Sequence, residues 1–208
     1  MSAGRAFVFV WQVVFVETVS KPEHARFVDM HLADVAEAVG KTPLDAFLDL
    51  ALAEDLTTQF RVGAPKDRSR DAATLELVRD PICMAGSSDG GAHLLSFTGA
   101  DYTTRLLSEW TPDPLTLEQA VSKLTMVPAV VHGIADRGVI REGAAADLVV
   151  FDHSRLRCTA TRLVHDFPAG AGRYVVGAEG YVATVVNGEL VFEHGRHTGA
   201  LPGTVLRG

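Results

Sequence analysis

The first part of the chain alternates short apolar runs with stretches in which apolar residues recur at helical spacing. Residues 13–16 are β-branched or aromatic, a composition typical of a buried strand. Over 31–39, apolar side chains repeat every three to four positions and stop at Gly40, which predicts a helix and its end. Thr42 and Pro43 then predict the cap and the first turn of a second helix.

Further elements follow from the same kinds of pattern. The second helix is predicted over 44–54, with one apolar face that carries Leu44, Phe47, Leu48, Ala51 and Leu52. Strands and helices continue to alternate after it. Because parallel strands joined by helices give this alternation, the segment predicts an α/β layer with parallel strands. The remaining predictions are strands over 57–62 and 81–85 and helices over 72–78, 101–110 and 117–124, the last capped by Thr116.

Beyond Gly133 the pattern changes to short β runs separated by Gly, Asp and Asn. Asn187 and Gly188 lie between two of these runs, and this dipeptide is typical of a two-residue hairpin turn. We therefore predict an α/β segment over 1–133 and a β-rich segment over 134–208. The β runs cover 139–140, 148–151, 182–186 and 190–192.

The composition is that of a folded globular protein. The 208 residues are 47% hydrophobic and 22% charged, which allows a sizeable buried core. The net charge of -7 and the lack of a basic block argue against a nucleic-acid partner.

Two features bear on the cellular compartment. Cys83 and Cys158 are far apart in the sequence, so we expect no disulfide framework and a cytoplasmic location. The apolar run over 7–16 is shorter than the roughly 20 residues that span a bilayer, and no small-residue cleavage site follows it. We interpret this run as a buried strand rather than a signal sequence, and we expect no membrane partner.

The stretch over 86–93 carries the strongest candidate chemistry. It consists of Gly-Ser-Ser-Asp-Gly-Gly-Ala-His and directly follows the apolar run over 81–85. A carboxylate on a glycine-rich turn at a strand end suits a catalytic group at the mouth of a barrel. Asp89 is therefore a candidate catalytic residue, the alternative being a turn aspartate that bonds its own backbone. His93 either lines the same pocket or caps the following helix.

Three segments in this order resemble the C-terminal half of the metal-dependent amidohydrolase superfamily, most closely its D-aminoacylase (N-acyl-D-amino-acid deacylase) branch. They are the motif over 86–93, the segment over 115–152 with GIADRGVIREGAAADLVVFD, and the segment over 182–203 with VVNGELV and HTGALPG. The resemblance implies an α/β fold, the C-terminal part of a (β/α)8 TIM-like barrel followed by strands of a β-sandwich. It also implies a hydrolase acting on carbon–nitrogen bonds other than peptide bonds, with a small-molecule amide as substrate.

The resemblance assigns a role to Asp89. This residue matches the family's aspartate at the end of the eighth barrel strand, which lies beside one or two zinc ions. In the family that carboxylate takes a proton from metal-bound water. Zinc is thus the implied cofactor, and Asp89 is both the implied general base and an implied metal ligand.

Two departures from the family pattern are visible. The His-x-His pair of the family's metal site is missing, and Asp89 alone cannot hold zinc, so the chain is either a fragment or has an incomplete site. The family's His-Pro-Arg segment, whose arginine binds the substrate carboxylate, is replaced by 94–99. Arg105 is the nearest candidate for a substrate-binding arginine, the alternative being an exposed helix residue.

Three functions are compatible with these observations. The first is deacylation of N-acyl-D-amino acids or similar amides. The second is a non-catalytic remnant or partner-dependent fragment, and the third is hydrolysis of cyclic amides at the same site. Because a partial barrel leaves strand edges and apolar faces uncovered, we expect the isolated chain to self-associate or to need the missing N-terminal half.

Overall fold

The computed structural model describes residues 11–63, 72–86, 88, 90–91, 94–95 and 98–206. The chain divides into two compact units, Met1–Thr74 and Leu75–Gly208. The boundary between these units differs in position from the change of sequence pattern near Gly133. The predicted boundary between 1–133 and 134–208 stays a prediction.

The first unit combines a pair of strands with two helices. Strand β1 (Val14–Thr18) pairs with β2 (Gln59–Val62), and the helices α1 (Leu32–Val39) and α2 (Pro43–Ala53) lie between them in the sequence. The two strands are antiparallel, so the predicted parallel arrangement is wrong here. A parallel pair is usually joined by one crossover helix, whereas two helices connect β1 to β2 here.

Local residues define the end of α1 and the start of α2, at the positions that the sequence predicts. Gly40 has a φ of 68°, and its N–H bonds the carbonyls of Ala36 and Glu37 at the end of α1. A left-handed residue of this kind ends a helix without steric cost only when it is glycine. The hydroxyl of Thr42 accepts the N–H of Asp45 and caps α2.

The core of the first unit forms where β1 meets the helices. Its buried side chains are Val14, Val16, Phe27, Leu32, Val35 and Leu50. On α2 the buried residues are Ala46 and Leu50, whereas Leu44, Leu48 and Leu52 are exposed. The apolar side of α2 expected from its leucines is therefore not the side that is buried, because the helix is also apolar around much of its circumference.

The second unit begins with helices and ends with sheets. Thr116 and Gln119 form a reciprocal capping box at the start of the fifth helix, as the sequence predicts. Leu106, Leu107, Leu115 and Ala120 form a core with Leu156 from the β-rich part. The helices are α3 (Ala72–Arg79), α4 (Tyr102–Glu109), α5 (Leu117–Leu124) and α6 (Met126–Val131).

All strand pairs described in the second unit are antiparallel. Four strands form one sheet in the order β10-β9-β8-β3, and two further pairs are β4–β7 and β5–β6. Asn187 and Gly188 have positive φ and make the predicted turn between β8 and β9. The strands are β3 (Leu148–Phe151), β4 (Arg157–Cys158), β5 (Arg162–Val164), β6 (Arg173–Val175), β7 (Ala178–Glu179), β8 (Tyr181–Val186), β9 (Glu189–Glu193) and β10 (Arg196–His197).

Arg137 fixes the loop that precedes β3. Its guanidinium bonds Asp136, Asp147 and the side-chain oxygen of Asn187, at 2.7 to 2.9 Å. Asp136 and Arg137, which are adjacent in the sequence, thus form a local ion pair. Asp147 also accepts the backbone N–H of Asn187, so it is a structural residue next to a strand end.

Two predicted strands are wrong. Residues 81–86 are irregular, as are 139–140, and Ile82 and Ile140 are each 90% exposed. A strand needs a neighbour for its backbone groups, and no described strand pairs with either run. Apolar composition alone therefore overpredicted strands here.

The fold class is a mixture of helices and sheets, as predicted. The barrel and the sandwich stay predictions, since the described sheets are small and antiparallel. Among the described helices, none has the length and apolar character needed to span a membrane.

Candidate functional site

The predicted site residues fall partly within the described structure. Asp89 and His93 lie outside the described residues, whereas their neighbours Ser88 and Gly90 lie within them. The hydroxyl of Ser88 accepts the backbone N–H of Gly90 at 3.0 Å. Serine hydroxyls commonly make such a bond to a nearby backbone amide in turns.

The segment that leads into this turn is held by a lysine of α5. The ammonium Nζ of Lys123 donates to the backbone carbonyl of Asp80 at 2.7 Å and to that of Cys83 at 2.8 Å. The carboxylate of Asp80 in turn accepts the N–H of Ile82 at 2.7 Å. These contacts fix a segment whose backbone pairs with none of the described strands.

The segment that follows the turn is held by a strand of the second unit. The backbone N–H of Tyr174 on β6 donates to the carbonyl of Leu94 at 2.9 Å. Beside it, Arg173 makes two hydrogen bonds of 2.8 Å to the carboxylate of Asp166, and this ion pair closes the loop that connects β5 to β6. The glycine-rich motif is therefore tethered at Cys83 on one side and at Leu94 on the other.

Arg105 lies on α4 and already has two carboxylate partners. Its Nε is 2.5 Å from Asp101 and its Nη1 is 2.7 Å from Glu109, both one helical turn away. Burial alone would lower the pKa of Arg105, but these two carboxylates outweigh it and raise the pKa. The guanidinium is thus charged, and a substrate carboxylate would have to replace one of the two partners. Its role in substrate binding stays a prediction.

Cys158 lies close to Asp101, one of the two carboxylate partners of Arg105. Its Sγ is 3.9 Å from the carbonyl of Asp101, and burial together with the nearby carboxylate raises the pKa of its thiol. A raised pKa favours the protonated thiol, which is a weaker nucleophile than the thiolate.

The zinc implied by the resemblance does not find a ligand set in the described part of the chain. Within these residues, no three side chains among His, Cys, Asp and Glu come together in a way that could hold a metal ion. Zinc sites in proteins need three or four such ligands. The donors described here therefore do not fit a resident zinc ion, and Asp89 lies outside the residues on which this statement rests.

Two contributors to the site could not be found from the sequence. Lys123 is an ordinary basic residue in the last turn of a helix, and Tyr174 contributes only a backbone amide. Neither belongs to a motif, and each bonds a residue far away in the sequence.

Comparison with known proteins identifies the family. The model of an amidohydrolase family matches residues 14–192 of the chain. The chain belongs to this family. The amidohydrolase resemblance predicted from the motifs is thereby confirmed.

Similar amidohydrolases include two deacylases of Alcaligenes xylosoxydans xylosoxydans. The N-acyl-D-glutamate deacylase is 38% identical over 130 residues, which cover 60% of this chain and 24% of that protein. The N-acyl-D-aspartate deacylase is 40% identical over 93 residues, which cover 44% of this chain and 17% of that protein. The chain thus matches about a quarter or less of the length of these relatives.

Solved amidohydrolase structures are also similar to the chain. A crystal structure of D-aminoacylase is 25% identical, with a TM-score of 0.48, over 90% of this chain and 36% of that one.

Proposed function

We propose that this chain is the part of an amidohydrolase that carries the general base for deacylation of N-acyl-D-amino acids. The observation that carries the proposal is the family match over 14–192 together with the identity to two deacylases of N-acyl-D-amino acids. The hydrogen bond between Ser88 and Gly90 and the contacts at Cys83 and Leu94 support it, because a catalytic carboxylate must be held in place.

The proposed reaction is hydrolysis of an amide bond. The carboxylate of Asp89 takes a proton from water as the water oxygen bonds to the acyl carbon. The bond between that carbon and the amide nitrogen then breaks, and the nitrogen takes the proton from Asp89. The products are a carboxylic acid and the free D-amino acid. General base catalysis of this kind contributes typically 10²–10⁴-fold to the rate.

The other predicted residues bind the substrate in this proposal. His93 hydrogen-bonds the amide, and Arg105 binds the α-carboxylate by exchanging one of its two carboxylate partners for that of the substrate. The family implies zinc, which would polarise the amide and activate water when bound. Because the described residues do not fit a zinc site, the chemistry assigned to this chain is limited to these side chains.

The proposed substrate class follows from the substrates in the names of the two similar deacylases. Both act on acylated acidic D-amino acids by name. We therefore choose N-acetyl-D-glutamate and N-acetyl-D-aspartate as the first substrates, N-acetyl-D-leucine as a neutral comparison, and the L-enantiomers as controls.

The test is release of free amino acid by the purified 208-residue protein, measured with and without added Zn²⁺. The matched variant is Asp89→Asn, which keeps the size of the side chain and removes its basicity. We expect hydrolysis of a D-substrate and a loss of at least about 100-fold in kcat in the variant. Equal activity of the variant would exclude Asp89 as the base. No hydrolysis of any acyl-amino acid would contradict the proposal and favour a non-catalytic chain, while hydrolysis of dihydrouracil or hydantoin alone would favour a cyclic-amide hydrolase.

A further inference from the structure

We propose that Lys123 is a positioning residue that holds the segment leading to Asp89. The geometric part of this inference stands on the described residues, and its catalytic consequence rests on the function proposed above.

The first step concerns the hydrogen bonding of the backbone over 81–86. A strand was predicted over 81–85, yet no described strand pairs with this run. Among the described residues, no strand supplies the ladder bonds that would fix its backbone carbonyls in a sheet. Backbone carbonyls that leave water without a partner cost free energy, so the segment needs another source of hydrogen bonds.

The second step is that Lys123 supplies these bonds. Its ammonium group donates to Asp80 and Cys83, which lie 43 and 40 residues before it in the sequence. Both distances, 2.7 and 2.8 Å, are those of charge-assisted hydrogen bonds, which are about twice as strong as neutral ones. One side chain on a regular helix thus replaces two contacts that a neighbouring strand would provide.

The third step is that the other end of the motif is fixed as well. The carbonyl of Leu94 accepts the N–H of Tyr174 from β6. The stretch between Cys83 and Leu94, which contains Asp89 in the sequence, therefore has both its ends bonded to regular elements. Loss of the contact at Cys83 leaves the stretch held on that side only by its covalent link to α3, which ends at Arg79, and so increases its conformational freedom.

The consequence for catalysis concerns kcat rather than binding. A displacement of about 1 Å of a reacting group can cost about 100-fold in rate. Lys123 bonds backbone atoms that precede Asp89, and no substrate contact is assigned to it. Removing its ammonium group should therefore slow the proton transfer assigned to Asp89 and leave KM nearly unchanged.

The experiment compares three variants of the full 208-residue protein. Lys123→Met keeps the aliphatic stem and removes the donors, and Lys123→Arg restores donors on a side chain of similar length. Lys41→Met is the matched control, since Lys41 also bonds by its ammonium group but to the exposed side chain of Asp49 in the first unit. Hydrogen–deuterium exchange of peptides covering 80–95, α4 and α5 is measured beside kcat and KM for N-acetyl-D-glutamate.

We expect at least 10-fold faster exchange over 80–95 in Lys123→Met and unchanged exchange in α4 and the first turns of α5. We expect kcat to fall at least 10-fold with KM within 2-fold, and Lys123→Arg to regain most of both properties. The inference would be overturned by unchanged exchange over 80–95 in Lys123→Met. It would also be overturned if exchange became faster throughout the second unit and Lys123→Arg did not reverse the change. So would a normal kcat in Lys123→Met when the segment has loosened.

The same experiment separates this inference from the proposed function. If the unaltered protein hydrolyses no substrate, the proposed function fails and the exchange measurement alone decides the positioning role. Faster exchange confined to 80–95 then supports Lys123 as the residue that holds this segment, and unchanged exchange overturns it.

Discussion

The Nδ1 atom of His24 lies 2.5 Å from the Oε1 atom of Glu54, whose side chain is wholly buried. Glu54 follows α2 directly, so its carboxylate lies near the negative end of the helix dipole. The backbone N–H groups of Ser20 and Lys21 also point at this carboxylate. Burial would raise the pKa of Glu54, but the bonds from His24 and the two amides outweigh it and lower the pKa.

In the Glu54→Gln variant, the stability of the first unit is therefore expected to depend less on pH. A carboxyl whose pKa is lowered on folding stabilises the protein above its unfolded pKa of 4.5, and this stability is lost as the pH falls through the folded value. At pH 7 the variant should melt at least about 5 °C lower than the unaltered protein, and the difference should shrink below pH 4.5. Thermal melts from pH 7 to pH 3 check this, with the exposed Glu37→Gln as control. A constant difference across that range would show that the charge of Glu54 is not involved.

Thr116→Ala tests the start of α5. The hydroxyl of Thr116 accepts the N–H of Gln119, and the Gln119 side chain bonds the N–H of Thr116 in return. Loss of an N-cap hydroxyl costs typically about 1 kcal/mol of the free energy of unfolding. Urea unfolding followed by circular dichroism measures it, and Thr204→Ala at an exposed position is the control. Equal midpoints for the two variants would exclude a stabilising cap.

Gly180→Ala tests a close backbone approach beside β8. Gly180 has a φ of +95°, and an added Cβ would lie 2.6 Å from the Cα of Leu156. Because both the backbone angle and the contact oppose a side chain, we expect a loss of at least about 2 kcal/mol in unfolding free energy. Gly203→Ala is the matched control, since its Cβ would meet nothing within 4 Å. A loss of similar size in both variants would mean that the contact with Leu156 does not decide the effect.

Arg105→Met tests the substrate role proposed for this residue. If Arg105 binds the substrate carboxylate, its loss should raise KM for N-acetyl-D-glutamate at least about 10-fold, the usual effect of losing one charged hydrogen bond. Glu109→Gln removes one competing carboxylate and should lower KM or leave it unchanged. Steady-state kinetics of both variants measures this. An unchanged KM in Arg105→Met would limit Arg105 to its ion pairs on α4.

The elements that the sequence predicts well are those with a local cause. Gly40 ends α1, Thr42 starts α2, and Asn187 with Gly188 makes the hairpin, because each conformation depends on residues within one turn of the chain. The family could also be predicted, since its motifs are runs of adjacent residues. The apolar side of α2 could not, because leucines on several sides of a helix do not show which of them will meet β1.

The sequence by itself determined the helix caps, the hairpin turn, the mixture of helices and sheets and membership of the amidohydrolase family. Only the tertiary structure decided that β1 and β2 run antiparallel, that 81–86 is not a strand, and that Lys123 bonds the carbonyls of Asp80 and Cys83. The physical reason is that a cap or a turn is stabilised within a few residues. A strand partner or a lysine contact depends instead on residues some 40 positions away, whose approach is set by packing of the whole unit.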